Sequence, residues 1–206
     1  MAAIPINKPT ECENIETQQL MKILKMISQQ IKEFNIIYTQ FLEEQRKEAR
    51  ELWILVTRYN ILNSGPPCIQ GSILIKEEIL EELIVKIQEK TSCIHHSLQT
   101  MNEKLERLSK HKELLYTHSD NIEWNPAINF TIKGSINHRS FSQCLEEIAD
   151  VLFQYDVSVT CMNHYFEALN LRDCNTYQNL INSFNLSKEL TDFVNEFQTN
   201  CNMVFN

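Results

Sequence analysis

Glycine is scarce in this chain. Only Gly65, Gly71 and Gly134 occur among 206 residues, with five prolines. Strands joined by tight turns need such residues every ten positions or so, so a sheet-rich fold is excluded and an all-α fold expected. The same scarcity excludes a loop of convergent backbone N–H groups for phosphate, and neither GxxxxGK[ST] nor GxGxxG occurs. Nucleotide binding or hydrolysis is therefore not expected. Long apolar runs are missing too: nowhere do eighteen such residues stand together, so no membrane span is expected. The opening "MAAIPINKPTECENIE" has no basic stretch followed by an apolar one, so it does not read as a secretory signal.

Positive charge is in deficit, with 19 Lys and Arg against 27 Asp and Glu, a formal net charge of −8. A surface that neutralises many phosphates carries the opposite sign, so direct sequence-specific nucleic-acid binding is not expected. Seven cysteines lack any CxxC pair; their odd number, without an export signal, implies reduced thiols in the cytoplasm or nucleus. The sequons at Asn129 and Asn185 then read as chance matches. Metal ligands cluster at most as "CIHH" (Cys93, His95, His96) and "CMNH" (Cys161, His164), with no second half at zinc-finger spacing. No catalytic, cofactor-binding or metal-binding residue is assigned, and the chain is not expected to be an enzyme.

What the chain has is helical period. After an N-terminal arm (1–14) read as disordered, steps of seven give Leu20, Ile27, Phe34, Phe41, Glu48, Leu55, Leu62 and, interleaved, Leu24, Ile31, Tyr38, Gln45, Leu52, Tyr59. This is the a/d spacing of a supercoiled seam, interrupted only at Gln45 and Glu48 inside "EEQRKEARE". That charged segment still favours helix, so one long helix is expected. "NSGPPCIQGS" ends it: Gly65 suits a left-handed cap, and Pro66 and Pro67 cannot extend a helix. A second helix from about Ile75 repeats as Leu80, Ile87, Ile94, Met101, Leu108, Leu115 and Ile84, Thr91, Leu98, Leu105, Lys112. Acidic residues open it and basic ones close it, which suits the helix dipole. Residues 15–118 thus form a long antiparallel hairpin, and 119–140 a connecting loop with Trp124, Ile128, Phe130 and Ile132 as anchors.

Residues 141–206 form a C-terminal helical segment. Phe141, Leu145, Ile148, Leu152, Tyr155, Val159, Met162, Phe166 and Leu169 step by four and three, predicting a helix over 141–171. Val151, Phe153, Val157 and Tyr165 widen the stripe, as for a bundle helix with neighbours on two sides. Short helices are predicted over 176–184 and 187–205, the second capped by Ser187. The basic groups Arg46, Lys47, Arg50, Lys104, Arg107, Lys110 and Lys112 read as solvated faces paired with nearby glutamates, RNA contact being the alternative. The seams are long enough either to bury one another or to leave a stripe for a partner.

This order of elements, with "EEQRKEARELW", "IKEEILEELIVKIQEKTSCIHHSL", "LEEIADVLFQYDVSVTCMNHYFEAL" and the closing "LTDFVNEFQTNCNMVFN", resembles the AIRIM-type ribosome maturation factors from about Met21 onward. Family members are basic in the middle of the third helix, whereas "YDVSVTCMNH" here has only Asp156 and His164 as charged or titrating side chains besides its tyrosine and cysteine. The resemblance implies a non-enzymatic adaptor without cofactor. Its partners would be a AAA+ ATPase of the valosin-containing-protein-like type and a second small helical subunit related to a cyclin-dependent-kinase-interacting protein. It would act on the pre-ribosomal large subunit indirectly, in cytoplasmic release of a shuttling factor, and also in replisome turnover. The expected partner-binding residues are Tyr155, Val159, Met162, Phe166, Leu169, Phe193 and Phe197. The alternative is a structural coiled-coil subunit of a kinetochore, tethering or cytoskeletal complex.

Overall fold

A computed structural model describes residues 11–65, 73–120 and 141–205, and every regular element among them is helical. The helices are α1 (Glu11–Ser64), α2 (Ile73–Asp120), α3 (Phe141–Glu167), α4 (Cys174–Ser183) and α5 (Lys188–Phe205). The protein is an all-α helical bundle, with the two long helices packed together. α2 runs through Asp120, so the expected loop does not begin at 119; the rest of it, 121–140 with its anchors, and most of the expected arm, 1–10, fall outside the described residues.

Boundaries shift where local chemistry differs from the period. α1 opens at Glu11, inside the stretch read as an arm. Gly65 ends α1 without left-handed backbone. Its N–H bonds to the Ile61 carbonyl at 3.0 Å, and a Cβ there would approach that same oxygen to 3.2 Å. α3 stops at Glu167, four residues before the predicted end. Asp173 takes over the chain there: it caps α4 by accepting from the Asn175 N–H at 3.0 Å, and its own N–H bonds to the Asn170 carbonyl. At the head of α5, the Ser187 hydroxyl accepts from the Leu190 N–H, as its sequence position predicts.

The chain divides into two compact units. One comprises Met1–Ile36, Lys104–Tyr155 and Ser187–Asn206; the other comprises Ile37–Glu103 and Asp156–Leu186. In the first, Leu20, Leu24, Ile27, Ile31 and Phe34 of α1 are buried, as are Leu105, Leu108 and Leu115 of α2. Ile148, Leu152 and Tyr155 of α3 and Leu190, Val194 and Phe197 of α5 complete that core. Each such side chain contributes roughly 1.5–3 kcal/mol on leaving water. Tyr155 is wholly buried; its hydroxyl donates to Asn35 Oδ1 at 2.8 Å and its ring meets Phe34 edge-on at 4.8 Å.

In the second unit, Tyr38, Phe41, Leu52 and Val56 of α1 are buried, with Ile94, Leu98 and Met101 of α2 and Val159 and Met162 of α3. Phe184, just beyond α4, meets Phe41 edge-on at 6.0 Å. The Tyr38 hydroxyl shares a 2.7 Å hydrogen bond with Ser158 Oγ, and burial pushes the phenol up to about 12 despite that bond. The two residues that interrupt the α1 seam have different fates here. Gln45 is buried in the core position the period assigns it, whereas Glu48 reaches out to bond Lys90 Nζ at 2.6 Å.

Candidate partner-binding surfaces

The expected partner-binding residues divide by position. Tyr155, Val159, Met162 and Phe197 are buried by this chain's own side chains. Phe166 and Leu169 are half-buried, Phe166 by stacking against His95 with ring centroids 5.4 Å apart, and Leu169 in the turn beyond α3. Phe193 is exposed. It lines a small cleft of the first unit with Phe197 and the carboxylates Glu147, Asp150 and Glu196, about 110 Å³ in volume. The extra apolar residues of α3 divide similarly: Val151 is buried, Tyr165 half-buried, and Phe153 and Val157 exposed.

A larger opening lies in the second unit, along the hairpin. Glu48, Glu51, Ile54 and Leu55 of α1 face Lys86, Glu89, Lys90 and Cys93 of α2 across a groove of about 680 Å³. Lys90 Nζ spans it, 2.6 Å from a carboxylate oxygen of Glu48 and 2.6 Å from one of Glu51. The Lys90 hydrogen bond and charge hold Glu51 below the usual carboxylate range, while the bonds to Glu48 and Glu51 push Lys90 up. This bridge joins the two antiparallel helices across the groove, and the Lys76 Nζ bond to the Gly65 carbonyl at 3.2 Å joins them again near the hairpin end.

The same register extends the groove walls. On α2, Ile75, Ile79 and Glu82 step by four and three into Lys86, Glu89 and Cys93, so they share one row. On α1, Ile61 lies two turns beyond Ile54. Ile54, Ile61, Ile75 and Ile79 are all exposed, Ile61 at 67%. Leu74, at 76%, and Val85 stand on the outer flank of α2. On the other side of the hairpin, α3 and α4 supply the cover. Asn163 Nδ2 donates to Asn102 Oδ1 at 3.1 Å, and Asn60 Nδ2 to the Leu171 carbonyl at 2.8 Å.

Sequence reasoning expects partner-binding residues on α3 and the C-terminal segment and does not single out the hairpin groove. A signal was present: Ile54, Ile61, Ile75 and Ile79 are apolar yet stand outside the a/d series. "CIHH" brings no third ligand, and no group of three or more His, Cys, Asp or Glu suited to a metal occurs among the described residues. Cys93, Cys161 and Cys174 form no disulfide. No described helix is long and apolar enough to cross a membrane. No family model matches the chain, and no curated protein or solved structure matches it.

Proposed function

We propose that this chain is a non-enzymatic adaptor, a helical subunit that grips another protein along the open groove of its hairpin. The observation that carries this reading is the exposed aliphatic row Ile54, Ile61, Ile75 and Ile79 flanking a groove that no described residue fills. An exposed leucine or isoleucine alone means little, but four of them on the walls of one groove between two helices suit the binding of a helix. Phe193, beside its acidic cleft, is a second open contact.

The finer assignment is to a AAA+ ATPase complex acting in cytoplasmic maturation of the large ribosomal subunit, with release and recycling of a shuttling factor and a further part in replisome turnover. The likeness of the sequence to AIRIM-type factors supports it. So does a surface of helix faces without a phosphate-binding loop, which leaves any ATP chemistry to a partner. Affinity purification of the tagged full chain, followed by mass spectrometry, tests both levels. A stoichiometric AAA+ ATPase of the valosin-containing-protein-like type and a second small helical subunit are expected. Recovery instead of kinetochore, tethering or cytoskeletal coiled-coil subunits would replace the finer assignment with the structural alternative. A chain recovered alone from every extract would remove the adaptor role.

A further inference from the structure

The opening of α2 is acidic as well as aliphatic. Between Ile73 and Glu89 it carries five glutamates against two lysines. Both lysines are engaged: Lys76 at the Gly65 carbonyl, and Lys86 in an ion pair with Glu82. Glu77, Glu78, Glu81 and Glu89 are exposed and have no ion pair among the described residues. Uncompensated carboxylates therefore stand beside Leu74, Ile75, Ile79 and Val85. Across the groove, Lys90 offsets one of the two charges of Glu48 and Glu51, so the larger unanswered charge belongs to the α2 wall.

We propose that this groove receives an amphipathic helix of a different polypeptide, apolar along one stripe and rich in lysine and arginine on the flank that meets α2. The inference rests on the adaptor reading above and names the chemistry of what is gripped. From Glu48 to Ile61 the wall runs about 20 Å at 1.5 Å per residue, room for a helix of about four turns. The aliphatic row supplies the area to bury, and the glutamates select a basic flank and speed its approach. A second copy of this chain fits poorly. Its equivalent face would set the same unpaired glutamates against one another, and like charges facing across an interface are unfavourable.

The test places a photoreactive benzophenone amino acid at Ile79 of the full chain, cross-links in cells, and sequences the captured segment by mass spectrometry. The expected segment belongs to another protein, has apolar residues three or four apart, and carries an excess of Lys and Arg. Glu78→Lys with Glu89→Lys, substitutions on an exposed face, should lower the cross-linking yield about ten-fold while leaving helicity and the urea midpoint unchanged. Four results each overturn the proposal. They are a cross-link between isotopically distinguishable copies of this chain, capture of an acidic or non-amphipathic segment, no capture, and a yield indifferent to the charge reversal. If the ATPase still co-purifies with Ile79→Asp, the groove assignment falls and the adaptor function stands. Capture of a basic helix without any ATPase in the purification keeps the groove assignment and removes the ATPase assignment.

Discussion

Two stretches with the same repeat meet different surroundings. In the first half of α1, from Leu20 to Leu42, both a and d rows are buried: Leu20, Leu24, Ile27, Ile31, Phe34, Tyr38 and Phe41 are all within the core. In the opening of α2, only Leu83 and Ile87 reach that state, while Leu80 and Ile84 are half-buried and Ile73, Leu74, Ile75 and Ile79 are exposed. Aliphatic content therefore does not decide burial. Position and cover do: Met26, Ile36 and Ile37 of α1, off the a and d rows, are exposed as well, and the on-row Leu80 and Ile84 of α2 are covered less completely than the rows of α1. The difference separates apolar residues that hold this fold from apolar residues available to another molecule.

One substitution made in both stretches breaks or confirms that separation most sharply. Ile27→Asp puts a carboxylate where the side chain is fully buried, and should cost about 4 kcal/mol or more. Ile79→Asp, on an exposed face, should change stability by about 0.5 kcal/mol or less and remove partner capture. Urea unfolding of the two variants beside the parent measures both. Equal losses would mean that the α2 opening is core after all.

How much of this was legible follows from the same contrast. Periodicity identifies the face of a helix that avoids water, because a side chain's direction is set by its own helix. It does not identify what covers that face, because the cover comes from distant sequence. Hence the helices, the hairpin, the Ser187 cap and the position of Ile61 off the seam could be read directly, whereas the cover over Tyr155 could not. Gln45 and Glu48 were visible as interruptions. Glu48 leaves the core to meet Lys90, 42 residues further on, a partner that its own helix does not reveal. The end of α3 was misplaced because Leu169 keeps the period while Asp173 captures the backbone for the next helix.

The next effect in size lies inside the covered seam of the first unit. Tyr155→Ala should cost about 3–5 kcal/mol, since the wholly buried ring leaves a cavity against Phe34. Tyr155→Phe keeps the ring and removes the bond to Asn35, for about 1 kcal/mol. Chemical denaturation compares these two variants, and equal losses would show that the hydroxyl rather than the packed ring anchors α3.

Tyr38 sharpens the comparison by pH. Its folded-state value is raised to about 12 by burial, so its contribution is complete below the ordinary tyrosine value and disappears as pH rises through the folded one. Between about pH 10 and 12 the parent should lose about 2–3 kcal/mol more than Tyr38→Phe, which cannot ionise there. Parallel stability profiles over that range would mean that water reaches the Tyr38 hydroxyl freely.

The smallest expected effect belongs to the groove's own bridge. Glu51 is depressed, so its share of stability is present above the ordinary carboxylate value and is lost as pH falls through the folded one. Lys90 is raised, so its share is present below the ordinary lysine value and is lost as pH rises through the folded one. Together they give a plateau between about pH 5 and 10, with a loss at each side. Lys90→Met keeps the apolar stem, removes the charge and leaves Glu48 and Glu51 facing each other. Its melting temperature should lie slightly below the parent's on the plateau, and the gap should close near about pH 3 and shrink in about 1 M salt. Such behaviour would identify the bridge as a setter of register in an otherwise open groove. A gap indifferent to pH and salt would instead assign the loss to the lysine stem packing between α1 and α2, which would make the groove floor part of the covered core.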